Sequence, residues 1–329
     1  MSRPSAFSDE LEAVVLAATS AKRILTCDVM QSLWSGYGSI YRCSLEGASC
    51  QSVVVKHVRW PTSSNHPRGW NSDISHQRKV RSYEVETCWY QNYSGDCDAQ
   101  CRVPNCLAVE SHRAGVVMVL EDLRDSGYRS EHSHAGEAEI ASCLAWLAEF
   151  HASFLGSNCS ELWEVGTYWH LATRPEEFSV LAPGPLRDCA AEIDRRLNAC
   201  RFQTAVHGDA KLANFCFSED GSRVAAVDFQ YVGGGCGMKD VAYFLSSCLD
   251  EEACEEREAE LLDFYFDKLK TAVSKRKPTA DWNALEREWR SMYPLAWTDF
   301  YRFLLGWSPG HWKIHRYSER MASEVLASL

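Results

Sequence analysis

One short polar run constrains this chain more than any other feature: His207-Gly208-Asp209-Ala210-Lys211-Leu212-Ala213-Asn214, with Val227-Asp228-Phe229-Gln230 centred nineteen residues after Asp209. A carboxylate, a lysine and an amide sit at fixed short spacings on one loop. A second carboxylate follows on the next apolar, strand-like run. Between them, Phe215–Phe217 and Val224–Phe229 read as a short strand pair beside the loop. Transfer of a phosphoryl group needs little covalent help. It needs a base that orients the attacking hydroxyl, cations on the moving phosphate and oxygen ligands for Mg²⁺. Asp209 is placed to accept or orient a hydroxyl proton, and Lys211 to reach a γ-phosphate oxygen as a point charge. Asn214 and Asp228 are hard oxygen ligands for the metal. His207 reads as structural, tying the loop to the neighbouring strand.

Upstream, Trp34-Ser35-Gly36-Tyr37-Gly38-Ser39 lies between strand-like runs. Its Gly36 and Gly38, with Ser39, would let backbone N–H groups approach phosphates. Lys56 ends the run Val53-Val54-Val55 on the following strand, pointing where nucleotide phosphates would lie. An acid on the next helix has to hold that lysine. Glu84 and Glu86 both qualify, and Glu86 is preferred because Trp89 and Tyr90 then pack on its face. Backbone groups from Glu121 to Leu123, at the end of the strand Val117–Leu120, would read a nucleobase edge, with Met118 a candidate pocket lining.

The coarse order is a strand-rich first third joined to a helical remainder. A helix is expected over residues 8–20, then a strand hairpin Leu33–Leu45 and Ser52–Trp60 turning at Glu46-Gly47. Residues 61–75 hold Pro61, Ser63, Ser64, Asn65, Pro67, Gly69 and Asn71, and read as a loop. A helix over Lys79–Tyr93 and strands at Leu107–Val109 and Gly115–Leu120 follow. Helices are then expected at Glu137–Phe154, Arg187–Cys200, Val241–Leu249 capped by Asp240, Glu251–Lys270, and Trp282–Leu305 with a break near Pro294.

The chain has 329 residues and a net charge of −11, which argues against gripping nucleic acid or an anionic membrane surface. Residues 1–115 carry 12 Lys+Arg against 11 Asp+Glu, and the remainder 22 against 34. The acidic second part suits a cationic or neutral substrate. Fifteen cysteines are scattered with no C-x-x-C pair. They read as small buried hydrophobes of a reduced, cytoplasmic chain, and the cluster Cys97/Cys101/Cys106 lacks zinc-ligand pairing. The opening reads as an amphipathic segment from Asp9 and Glu10 rather than a secretory signal. No apolar run is long enough to span a bilayer.

The loop His207-x-Asp209-x-Lys211-x-x-Asn214 with Asp228-Phe229 resembles the catalytic core of the protein-kinase-like fold. Gln230 stands where those kinases carry Gly, and Gly233-Gly234-Gly235-Cys236-Gly237 leads within a short stretch to Asp240. No room is left for a long activation segment, so a small molecule is expected as acceptor. The pattern Val206-His207-Gly208-Asp209…Asn214, Val227-Asp228-Phe229-Gln230, Asp240 and Ala242-Tyr243 resembles the aminoglycoside phosphotransferase and choline kinase superfamily. Within it, Leu120-Glu121-Asp122-Leu123 and Asp-Phe-Gln bring the chain nearest to the ecdysteroid-kinase-like branch.

This resemblance implies an α+β, bilobal kinase-like fold: a β-rich lobe over 1–123 and a larger, mainly helical lobe over 124–329. It implies ATP and Mg²⁺ as cofactors and phosphorylation of a metabolite hydroxyl, on a choline-like amino alcohol or a sterol-like alcohol. Asp209 then matches the catalytic base, Asn214 and Asp228 the metal ligands, and Asp240 an aspartate bracing the loop. Lys211 departs from the aminoglycoside enzymes. The competing readings are a catalytically inactive nucleotide-binding module and a peptide-directed protein kinase. Trp282, Trp289, Tyr293, Trp297, Phe300, Tyr301, Phe303, Trp307, Trp312 and Tyr317 crowd the last fifty residues. They suit a cage for a quaternary ammonium with Asp299 nearby, a flat sterol slot, or plain core.

Overall fold

The computed structural model describes residues 7–33, 36–60, 73–129 and 134–329. Two compact units account for the chain: Met1–Asp96 with Val103–Ser130, and Cys97–Arg102 with Glu131–Leu329. Trp34 and Ser35 of the glycine turn, and residues 61–72 of the expected loop, lie outside the described residues.

The first unit is a five-stranded antiparallel sheet with a helix for each face. Helix α1 (Asp9–Thr19) is capped by Ser8, whose Oγ accepts from the Leu11 amide at 3.3 Å. The strands are β1 (Arg23–Ser32), β2 (Gly38–Glu46), β3 (Ser52–Arg59), β4 (Cys106–His112) and β5 (Gly115–Glu121), in spatial order β1-β2-β3-β5-β4. Helix α2 (Asp73–Asn92) comes between β3 and β4. The period of two along β3 sends Val53 and Val55 into a core with Leu11 and Val15 of α1. It turns Lys56 to the opposite face, where α2 presents Glu86. The strand expected from Leu33 is instead two elements. β1 precedes it, and the Leu33 amide bonds the Gly38 carbonyl at 2.8 Å to close the turn into β2. β1 is an edge strand, mostly solvent-exposed, and so lacks the apolar alternation that marks a half-buried strand.

The second unit is mainly helical: α3 (Glu137–Ser153), α4 (Pro175–Val180), α5 (Pro185–Asp188), α6 (Ala190–Asn198), α7 (Met238–Cys248), α8 (Glu251–Arg276), α9 (Trp282–Trp307) and α10 (Arg316–Ser328). Two small ribbons interrupt it: β6 (Thr204–Val206) with β9 (Gly233–Gly235), and β7 (Phe215–Phe217) with β8 (Val224–Ala226), both antiparallel. α3 packs on α8, and α9 on α7 and α10. The break expected at Pro294 is absent, and α9 runs through it. Proline removes one backbone hydrogen bond, but Trp289, Tyr293, Trp297 and Phe300, on either side of it, are all buried in the core. Asp299 is buried in an ion pair with Arg302 at 2.8 Å, and Arg302 also donates to the Trp169 carbonyl at 3.1 Å. Among the described residues no helix is long and apolar enough to cross a membrane.

Candidate active site

In the first unit, the Lys56 ammonium donates to both carboxylate oxygens of Glu86, at 2.8 and 2.7 Å. Both side chains are buried, 5% and 1% exposed, and the ammonium stands 5.6 Å from the Tyr83 ring centroid. Glu84 points elsewhere and pairs with Arg81 at 3.5 Å. Gly36 has φ +78 in the turn before β2. Gly38 has φ +120, and a Cβ there would meet the His57 carbonyl oxygen at 2.0 Å. Close pairing with β3 therefore demands glycine at 38 whatever the turn binds. Ser39 lies in β2 opposite His57.

At the end of β5, Glu121 bonds Asn105 from its backbone amide and through its carboxylate, at 2.9 and 3.0 Å. The Leu123 carbonyl accepts from the Ser126 and Tyr128 amides, closing a turn. Two acids lash that turn to the sheet: Asp122 accepts from Arg42 at 2.6 Å and Ser52 Oγ at 2.8 Å, and Asp125 accepts from the Gln51 and Ser52 amides at 3.1 and 2.9 Å. Met118 is wholly buried in β5.

In the second unit, the polar loop leaves β6 at His207. His207 Nε2 donates to the Val227 carbonyl at 3.0 Å, and Nδ1 accepts from the Asp209 amide at 3.2 Å. Burial depresses the imidazole pKa, with Asp240, Asp209 and Asp228 opposing it, so a neutral ring fits both bonds. Gly208 has φ +79, and a Cβ there would sit 2.0 Å from the Tyr231 carbonyl oxygen, so only glycine lets the loop turn here.

Asp209 is held through one oxygen. Its Oδ2 accepts from Lys211 Nζ at 2.9 Å and Asn214 Nδ2 at 3.0 Å, and Asn214 Nδ2 also reaches the Asp209 carbonyl at 2.8 Å. Its Oδ1 is buried with no hydrogen-bond partner among the described residues. Burial opposes the Lys211 charge, but Asp209 and then Asp228 outweigh it and raise its pKa. Val227 donates to the Asn214 carbonyl at 2.9 Å, which brings Asp228 beside the loop. Asp228 takes φ +68, a left-handed conformation uncommon outside glycine and a mark of functional sites. Gln230 donates to its Oδ1.

Asp240 does not cap α7. The helix starts at Met238, and Asp240 lies inside its first turn, fully buried. Its carboxylate accepts from the His207 amide at 2.6 Å, the Gly208 amide at 2.9 Å and His151 Nε2 at 3.1 Å. His151 Nδ1 in turn meets the Tyr265 hydroxyl at 2.7 Å. α3, α7 and α8 thus pin the loop through one buried chain. His151 and Tyr265 carry no spacing signal in the sequence, because only packing joins them to Asp240.

The donor set fits a hard divalent cation. The Asn214 amide nitrogen is occupied by Asp209, so its side-chain oxygen is the atom left for a metal, beside the Asp228 carboxylate. Among the described residues no group of three or more His, Cys, Asp or Glu side chains could hold a metal ion.

The model of the ecdysteroid kinase-like family matches residues 172–277, which include the loop, Asp228 and Asp240. Two solved structures share the fold. One is amicoumacin kinase hAmiN in complex with AMP-PNP, Ca²⁺ and Ami: 14% identity, TM-score 0.51, covering 98% of this chain and 93% of that one. The other is choline kinase from Cryptosporidium parvum Iowa II: 11% identity, TM-score 0.52, covering 92% of this chain and 88% of that one. No curated protein matches. The five-stranded sheet and helical second unit are therefore a kinase-like fold.

Proposed function

We propose that this chain is an ATP-dependent phosphotransferase that phosphorylates a hydroxyl of a small metabolite. The observation that carries the reading is Asp209, clamped through Oδ2 by Lys211 and Asn214 while its buried Oδ1 has no partner. That atom accepts the hydrogen bond of an incoming hydroxyl and orients it for in-line attack. Lys211 offsets charge on the transferring group. In the first unit Lys56, fixed by Glu86, binds nucleotide phosphates. Asn214 and Asp228 hold Mg²⁺, which when bound neutralises phosphate charge. From Asp228 the chain passes through β9 directly into α7, which leaves no segment on which to lay a peptide.

The test is ATP consumption over a library of hydroxyl compounds, with wild type beside Asp209→Asn. Loss of a general base typically costs about 10²–10⁴-fold in rate. The variant should lose turnover on that scale while Mg-ATP still raises its melting temperature as in wild type. Full turnover by Asp209→Asn would sink the assignment. A thermal shift with Mg-ATP but no turnover of any hydroxyl compound would favour the inactive nucleotide-binding module.

A further inference from the structure

Lys313, between α9 and α10, is a buried cation without a counter-ion. It is 8% exposed, and its ammonium lies 4.9 Å from the Tyr243 ring centroid, 5.3 Å from Phe300 and 5.6 Å from Trp312. The backbone of Lys313 bonds His311 Nδ1 at 3.2 Å and Ser318 Oγ at 3.1 Å, but among the described residues its ammonium makes no hydrogen bond and no ion pair. Tyr243 and Phe300 are buried and packed edge to face at 4.9 Å, whereas Trp312 is 58% exposed. The cage therefore has two closed walls and one that faces solvent.

Tyr243 also ties this cage to the loop. Its phenol is pushed well above its ordinary pKa by burial, then by Tyr168 and by Asp209. Asp209 and Lys211 both act on Lys313 electrostatically. The Tyr243 phenol thus lies near Asp209, while its ring lies under the Lys313 ammonium.

An ammonium on a side chain this buried, with no protein acceptor, loses part of its hydration, and an arriving acceptor offsets that cost. Aromatic faces relieve part of that cost, but they accept no strong hydrogen bond. The same faces would be needed by a quaternary ammonium, and here the chain's own lysine already lies over them. A cationic acceptor would lose the cage and meet a like charge.

Resting on the phosphotransferase reading, we infer that Lys313 is an acceptor-binding residue that selects hydroxyl compounds bearing an oxyanion, a carboxylate, sulfate or phosphate, and rejects quaternary ammonium alcohols. The acceptor's hydroxyl meets Asp209 Oδ1 while its anionic group takes the Lys313 ammonium, and its body lies against Trp312. The γ-phosphate of ATP offers the same oxyanion chemistry, so the experiment must separate the two sources.

Protein labelled with [ε-¹³C]lysine gives a Lys313 resonance that is assigned by its loss in Lys313→Arg. It is titrated with a panel of hydroxycarboxylates and 2-hydroxyethanesulfonate, with the matched hydroxyamides, with choline, and with Mg-AMP-PNP alone. The expected result is a saturable shift with hydroxy anions and none with hydroxyamides or choline. A response to Mg-AMP-PNP alone would make Lys313 a nucleotide contact and overturn the inference. So would an equal response to choline, or no saturable response to any hydroxy anion. This readout needs no turnover, so it stands even if the chain transfers no phosphate. Where turnover is found, Lys313→Met should raise KM for the anionic acceptor at least tenfold, with kcat and the KM for Mg-ATP nearly unchanged. Lys313→Arg should restore most of that loss. An unchanged acceptor KM in Lys313→Met would also overturn it.

Discussion

Replacing Asp240 with alanine should be the most damaging single change in the second unit that touches no reacting group. The carboxylate is fully buried and accepts from two backbone amides, His207 at 2.6 Å and Gly208 at 2.9 Å, and from His151 Nε2 at 3.1 Å. Truncation leaves all three donors in the interior with nothing to accept from them. Each buried donor stranded in this way costs about 1–3 kcal/mol. Allowing for some relaxation, the sum is about 3–6 kcal/mol, a large part of the roughly 5–15 kcal/mol that holds a typical domain folded. Asp240→Asn keeps one accepting oxygen and turns an NH₂ toward a donor, so it should cost less, about 1–3 kcal/mol. Urea unfolding followed by tryptophan emission measures both, because Trp146, Trp169, Trp289 and Trp297 are buried in this unit. On the phosphotransferase reading proposed above, turnover by Asp240→Asn under native conditions should fall with its KM for Mg-ATP little changed, because the loop carrying Asp209 loses its brace. A loss below about 1 kcal/mol for Asp240→Ala would refute the claim that these bonds hold the loop.

Three further outcomes are expected. Removing one partner of the buried Lys56–Glu86 pair, as in Glu86→Leu, should destabilise the first unit by about 3–5 kcal/mol, and the double variant Lys56→Met/Glu86→Leu should recover most of it; denaturant melts of the three proteins decide. The Lys313 pKa is lowered to about 8 by burial, with Lys211 adding to this and Cys248 and Asp209 opposing. The unfolded chain therefore binds the proton more tightly between about 8 and the usual 10.5, and wild-type stability should rise with pH across that window. Lys313→Met should be more stable than wild type at pH 7 by about 1–3 kcal/mol and should lose that slope. Burial, with Arg59 and His112, lowers the His57 pKa from 6.5 to about 4. The fold keeps it neutral, so stability should fall as pH drops from about 6.5 toward 4, and thermal melts of His57→Gln should show a flatter acid limb.

Much of the fold is written in local patterns. The three valines before Lys56 and the apolar periodicity of α3 are short-range features, and they place strand and helix within a few residues of the structure. β1 escaped because an edge strand exposes most of its side chains and leaves no alternation to read. Pro294 misled in the opposite direction. A local penalty for proline predicts a break, and the buried aromatic packing of α9 overrides it. Asp240 shows the same contrast within one residue. Its local position suggests a cap, while its bonds go to residues 207, 208 and 151.

The sequence by itself determined which polar side chains of the loop come together, because Asp209, Lys211 and Asn214 are near neighbours. Groups a few residues apart on one turn have little freedom to separate, so spacing alone brings their side chains together. Tertiary structure decided everything that joins distant segments. It chose Glu86 over Glu84, braced the loop through His151 and Tyr265, and closed Tyr243, Phe300 and Trp312 around Lys313. The first exists only once α2 has packed on the sheet, and the others only once apolar burial has packed α3, α7, α8 and α9 together. No spacing along the chain records which side chains that packing will bring face to face.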